Sequence, residues 1–145
     1  VPQFSHTEIV HAEPERVFAV LDHVEVTPSW LARCTKLDRL TPGPTRVGTK
    51  LTYHYKDGGR VGQMAGQVVA REENRRLTNA FTDRMMDVTV DFALAPGEQA
   101  DTTRLTHTIT ITPKGFGKVF TPMIKRQLPG QTTGAMAALK RLLED

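Results

Sequence analysis

The sequence predicts an α+β fold: a curved antiparallel sheet of six or seven strands wrapped around a long C-terminal helix, with two short helices after the first strand. Three observations predict it. Apolar residues recur at helical intervals in two brief stretches after an initial strand. They then alternate singly with polar residues through the middle of the chain, and they return to a helical stripe towards the C-terminus.

Phe4 to Ala12, with Thr7, Ile9 and Val10, reads as a strand that stops at Glu13-Pro14-Glu15. Pro14 falls in the first turn of the next helix, where a missing N–H is tolerated, and Glu15 suits the positive end of the helix dipole. Val17, Phe18, Val20, Leu21 and Val24 recur at three- and four-residue intervals, giving two or three amphipathic turns. Thr27-Pro28-Ser29 breaks this helix and starts a second short one holding Trp30, Leu31 and Cys34.

Thr41-Pro42-Gly43-Pro44 is a turn cluster, and beyond it the period changes from helical to alternating. Leu51, Tyr53 and Tyr55 alternate with Lys50, Thr52, His54 and Lys56, and Asp57-Gly58-Gly59 supplies a hairpin turn. The next strand carries Met64, Gly66, Val68 and Ala70 on one face and Gln63, Gln67 and Arg71 on the other. Glu72-Glu73-Asn74 turns the chain into a run of Leu77, Asn79 and Phe81, and a short turn around Asp83-Arg84 follows. Met86, Val88, Val90, Phe92 and Leu94 form the cleanest alternation, Pro96 to Ala100 is a loop, and the last strand sets Leu105, His107, Ile109 and Ile111 against Thr106, Thr108 and Thr110. Pro113 closes it. Phe116, Val119, Phe120, Met123, Ile124, Leu128, Met136, Leu139, Leu142 and Leu143 then trace a helical stripe. Pro122 and Pro129 interrupt that stripe, so kinks are expected, or a helix that starts only after one of them.

A chain of 145 residues is expected to form one domain, 1–145, and at this size folding removes roughly 70% of the unfolded surface from water. Hydrophobic content of 39% with 24% charged residues is ordinary, and no stretch approaches the roughly 20 apolar residues that a bilayer span requires. Nineteen bases against 16 acids leave +3, a weak pull on any anionic partner. The single cysteine, Cys34, cannot close an internal disulfide, and Val1-Pro2-Gln3-Phe4 shows no signal peptide, so the expected location is cytoplasmic.

The order of elements, with Ala12-Glu13-Pro14-Glu15-Arg16-Val17-Phe18, then Trp30, then Gly48-Thr49, resembles the START-like (SRPBCC) superfamily, specifically its polyketide cyclase/dehydrase and lipid-transport group. Members of that group show a Pro-Glu opening to the first helix, a Trp after the second, and a Gly-Thr pair before the next strand. The resemblance implies a helix-grip fold and an elongated apolar cavity between sheet and helix that receives lipids, polyketides, steroids or plant hormones. It implies a pocket, not a reaction.

If the apolar face of each strand looks toward the helix, the polar side chains on that face are the informative ones. Tyr53, Tyr55, Asn79 and His107 fall there, and Gln127 and Gln131 lie near the stripe of the last helix. Enclosed polar groups need hydrogen-bond partners, so each meets another protein group, holds water or addresses a ligand. Asparagine is disfavoured in strands and interiors unless its amide is used. The expected ligand-binding residues are Trp30, Tyr53, Tyr55, Met64, Asn79, Phe81, Val90, Phe92, His107, Ile109, Met123 and Gln127. Met64, Met85, Met86 and Met123 would give an adaptable wall, although methionine at core spacing is usually filler.

Other chemistry has little support. His6, His11, His23, His54 and His107 lack metal-ligand spacing, so neither a metal nor any cofactor is expected. Cys34 reads as an inert, partly buried thiol. Gly115-Phe116-Gly117-Lys118 lacks the length and the Ser/Thr of a phosphate-binding loop. Glu72 with Glu73, and Glu144 with Asp145, read as solvated charge.

Three functions fit. The leading one is binding of a hydrophobic, lipid-like or aromatic small molecule, driven by apolar burial at about 25 cal/mol per Å² and oriented by His107, Asn79 and a tyrosine. The second is a polyketide cyclase or aromatase with His107 as general acid/base, its ordinary pKa being about 6.5, and Tyr53 or Tyr55 as donor to an enolate oxygen. Cyclases of the resembled group often carry a cavity arginine, for which Arg33 and Arg84 are the nearest positions. The third is surface binding to a membrane or nucleic acid through Lys114, Lys118, Lys125 and Arg126. These bases have no interleaved exposed aromatics and read as a solvated face, so no nucleic-acid partner is expected and any membrane contact is transient. The protein is expected to be a monomer or homodimer.

Overall fold

The computed structural model describes residues 2–57 and 59–144. Among the described residues, seven strands form one antiparallel sheet: β1 (Gln3–Val10), β2 (Cys34–Arg39), β3 (Lys50–Asp57), β4 (Arg60–Glu72), β5 (Arg76–Thr82), β6 (Met86–Pro96) and β7 (Thr103–Pro113). Their spatial order is β1-β7-β6-β5-β4-β3-β2, so β2 to β7 run as a meander and β1 closes beside the last strand. Helix α1 (Pro14–Asp22) follows β1, and helix α2 (Thr121–Glu144) packs against β1 and β7. Asp57 pairs with Arg60 across the β3–β4 hairpin; the expected turn at Asp57-Gly58-Gly59 itself falls on Gly58, outside the described residues.

Helix α1 forms as its sequence predicts. Pro14 occupies the first turn, Glu15 faces the positive end of the dipole, and Val17, Phe18 and Leu21 are buried. The second helix differs from expectation. A 3₁₀ segment spans Val24–Ser29 and ends at Trp30, where Thr27 O accepts both Trp30 N–H and Leu31 N–H; Cys34 opens strand β2 instead of lying on a helix. The misleading signal is the three-residue spacing of Leu31 and Cys34. A β-bulge between Cys34 and Lys36 inserts one residue and keeps both Cys34 and Leu37 buried, which imitates a helical period.

A second bulge, between Val68 and Ala70, corrects the reading of β4. Met64, Gly66 and Val68 face inward as expected, but the extra residue reverses the parity beyond it, so Arg71, expected on the outer face, stands opposite inward-facing Leu77. There the Arg71 guanidinium makes two 2.9 Å bonds to the Asp22 carboxylate and lies 5.2 Å from the centre of the Phe18 ring. Strand β4 is thereby tied to the end of α1.

Beyond β4 the alternation holds. Opposed pairs set Leu77, Phe92, His107 and His6 in one row across β5, β6, β7 and β1, with Asn79, Val90 and Ile109 in the next and Phe81, Val88 and Ile111 in a third. Helix α2 starts at Thr121, with Pro122 in its first turn, and continues through Pro129. The carbonyls around that proline have hydroxyl partners: Thr132 Oγ1 donates to Leu128 O at 2.8 Å, and Thr133 Oγ1 to Pro129 O at 3.0 Å. Ile124, Leu128, Thr132, Ala135, Met136, Leu139 and Leu143 form its buried face. Phe116, Val119, Met123 and Leu142, read as part of the buried stripe, are exposed instead. The first two lie on a separate 3₁₀ segment, Gly115–Phe120, whose tighter turn breaks the helical phase before α2 begins.

The Arg71–Asp22 pair is half-buried, bidentate and stacked on an aromatic ring, so it is worth more than a surface ion pair. Arg71→Met is expected to cost about 1–2 kcal/mol in urea unfolding, and a cycle with Asp22→Asn should show most of that loss as coupling between the two residues. Equal, additive losses would mean that the pair contributes no interaction energy.

Candidate functional site

Seven strands curved over one helix leave space between them, and two glycines on β4 enlarge it. Strand β4 faces inward with Gly62, Met64, Gly66 and Val68, so half of those positions carry no side chain. Tyr55 lies over Gly62 and Phe81 over Gly66, each ring occupying the place a Cβ would take. The aromatic rings thus lie against the wall. The resulting cavity holds about 240 Å³ and is lined by the inward residues of β3 to β7, by Trp30 and Leu31, and by the first half of α2. That volume is more than tenfold the ~15 Å³ that one water needs.

All the residues predicted for the site border this cavity. Tyr53 and Tyr55 come from β3, Met64 from β4, Asn79 and Phe81 from β5, Val90 and Phe92 from β6, and His107 and Ile109 from β7. Trp30 follows the 3₁₀ segment, and Met123 and Gln127 lie at the exposed edge of α2. Of the two arginines considered, Arg33 lines the cavity and Arg84 does not. Sequence reasoning placed Met85 in the adaptable wall, where it lies, but missed Arg60 and Asp83. The usable signal was topological, because the β3–β4 hairpin and the β5–β6 turn fall at one end of a meander, and these residues flank them.

The wall is mainly apolar, and its polar groups are few. Trp30, Asn79 and His107 are 5%, 6% and 2% exposed, and Trp30 Nε1, Asn79 Oδ1 and both ring nitrogens of His107 have no protein hydrogen-bond partner. The His107 ring stacks on Phe92 with centroids 4.5 Å apart, while Trp30 meets the same Phe92 edge-on at 5.8 Å. Burial, and secondly the neighbouring His6, hold the His107 pKa down to about 4, so the ring is neutral near neutrality. His6 itself bonds Glu8 at 3.2 Å. These three side chains therefore offer one indole donor, one imidazole donor, one imidazole acceptor and one amide acceptor, all uncharged, while the charged lining residues are Arg33, Arg60 and Asp83.

Cys34 is buried, and burial pushes its thiol up to about 11, which leaves it protonated and unreactive. Among the described residues, no three His, Cys, Asp or Glu side chains gather into a metal-binding group, and no helix is long and apolar enough to cross a membrane.

A family model described as polyketide cyclase/dehydrase and lipid transport matches residues 2–144. Among solved structures, a START superfamily protein from Mycobacterium smegmatis is 19% identical, with 98% of this chain and 97% of that one covered at a TM-score of 0.79. The Zhui aromatase/cyclase from a Streptomyces species is 14% identical, with 98% and 93% covered at a TM-score of 0.81. A Thermus thermophilus protein is 15% identical, with 97% and 95% covered at 0.78. No curated protein sequence matches.

Two outcomes follow from this geometry. Because the folded pKa of His107 lies below its ordinary 6.5, the neutral ring's contribution to stability is complete above 6.5 and is lost as pH falls through about 4. The loss should approach roughly 3 kcal/mol, and His107→Phe should flatten that part of the pH–stability curve measured by urea unfolding. Gly66→Ala places a methyl where the Phe81 ring lies and should drive that ring into the cavity, at a cost of about 1–3 kcal/mol. A crystal structure of the variant with Phe81 unmoved would contradict it.

Proposed function

The chain belongs to the polyketide cyclase/dehydrase and lipid-transport family, and from that premise we propose that its cavity binds an apolar small molecule bearing neutral hydroxyl, phenol or carbonyl groups. One observation carries the reading: the four unpartnered polar atoms of Trp30, Asn79 and His107 in a mainly apolar enclosure. An unpaired buried donor or acceptor costs about 1–3 kcal/mol, and a ligand that pairs with it recovers that cost. Donors and acceptors are balanced and uncharged, so the deep end favours a neutral oxygen-bearing ring or chain over a carboxylate. Apolar burial against Phe81, Phe92, Val90 and Ile109 supplies the bulk of the affinity.

A second reading, polyketide cyclase or aromatase, is supported by the absence of a protein partner on either His107 nitrogen in a residue that lines the cavity. There His107 takes a proton from carbon next to a carbonyl while Tyr53 donates to the enolate oxygen. A ring held down to about 4 accepts protons poorly near neutrality, which makes binding the leading reading.

The test uses native mass spectrometry of the protein incubated with a small-molecule extract, together with thermal unfolding. Asn79→Leu should raise stability by about 1–3 kcal/mol by removing an unpaired buried oxygen, yet weaken the captured ligand by up to about tenfold. A purely structural Asn79 would lower stability when replaced and leave any adduct unchanged. Conversion of the adduct by the unmodified protein but not by His107→Ala would establish the cyclase reading.

A further inference from the structure

The exposed residues that line the cavity, Arg60, Met123 and Gln127, mark its mouth at the end of the sheet that carries the β3–β4 hairpin, the β5–β6 turn and the segment from Pro113 to the start of α2. Lys114 N–H donates to Met85 O at 2.9 Å, which fastens the 3₁₀ segment Gly115–Phe120 to the β5–β6 turn. On this rim Phe116 is 86% exposed and Val119 73%, and Met123 is exposed while also lining the cavity. Phe120, Met123 and Ile124 continue the same apolar surface inward. Side chains this exposed protrude; they do not line a groove.

The charge around them is mostly positive. From Thr102 to Leu143 the sequence contains no Asp or Glu, while Lys118, Lys125 and Arg126 lie exposed beside the apolar group, and Arg84 is exposed on the facing turn. The nearby acids are already engaged. Asp87 takes the Lys114 ammonium at 2.9 Å, and Asp83 Oδ1 accepts Met85 N–H at 2.7 Å and Met86 N–H at 2.9 Å. The sequence-based expectation of a solvated basic face assumed no exposed aromatic among the bases, and Phe116 overturns that premise.

We propose that Phe116, Val119 and Met123, flanked by Lys118, Lys125 and Arg126, dock the mouth of the cavity on an anionic lipid bilayer. Separately protruding apolar side chains suit a fluid interface, which needs no shape complementarity, and cations beside them are attracted to anionic headgroups. Docked this way, the opening faces the acyl region, and an apolar molecule passes between membrane and cavity without crossing water. The docking surface stands independently of what the cavity holds.

Vesicle co-flotation of the full chain tests this, comparing phosphatidylcholine vesicles with the same vesicles containing phosphatidylserine. Binding is expected to the anionic vesicles, to weaken with added salt, and to be far weaker on the neutral ones. Phe116→Ser should lower partitioning by about tenfold or more, and Lys125→Ala or Arg126→Ala by about fivefold each. Leu40→Ser, an equally apolar exposed site at the opposite end of the sheet, should change nothing, and unchanged thermal melts would confirm that every variant folds. The proposal is overturned by absence of binding to anionic vesicles or by insensitivity to Phe116→Ser. It is equally overturned if Phe116 proves buried in a dimer in solution, or if the same bases bind oligonucleotides but not vesicles.

Discussion

A single helix is too narrow to fill the concave face of a seven-stranded sheet, and the cavity is the consequence of that mismatch. An α-helix with its side chains is about 10–12 Å across, whereas the sheet spans six strand-to-strand intervals of roughly 4.8 Å before curvature. Helix α2 meets the sheet most closely at β1 and β7. The strands farther along the meander therefore present their inward residues to the cavity. Gly62 and Gly66 increase the effect, because they let Tyr55 and Phe81 lie against the wall. The protein keeps its core where α1, α2 and the sheet converge and leaves the other side of the enclosure open.

That division of labour explains the distribution of polar groups. Where packing is tight, polar atoms are satisfied: Thr103 Oγ1 bonds Ala12 O at 2.7 Å, Thr132 bonds Leu128 O, and Arg71 is held by Asp22 and Phe18. Around the cavity Trp30, Asn79 and His107 have unpaired polar atoms at a cost to stability. Burial keeps His107 uncharged and therefore compatible with an apolar enclosure, and its stacking on Phe92 fixes the ring plane. A site built this way discriminates by hydrogen-bond geometry within a predominantly hydrophobic volume.

The rim follows a different rule from the wall. Inward residues are chosen by sheet parity, whereas Phe116 and Val119 are outward because a 3₁₀ segment precedes α2 and turns its side chains out of phase with the helix. An apolar residue at the mouth is thus not a misplaced core residue. It extends the apolar surface of the cavity to the outside of the molecule, next to Lys118, Lys125 and Arg126.

By itself the sequence determined the order of elements and which side of most strands faces the helix, because single alternation allows only two faces and the apolar set selects one. This made Asn79 on β5 and His107 on β7 legible as inward polar residues, together with the aromatic and aliphatic residues around them. Tertiary structure alone decided the places where that parity breaks. The bulges near Cys34 and Val69 turned an expected helix into strand β2 and brought Arg71 inward to Asp22, and the 3₁₀ segment exposed Phe116. It also decided that Trp30, Asn79 and His107 lack protein partners, and that Arg60 and Asp83 meet the same cavity. The reason is physical. A bulge or a partnerless atom depends on what the neighbouring strand or helix offers across space, and no local period in the chain encodes it.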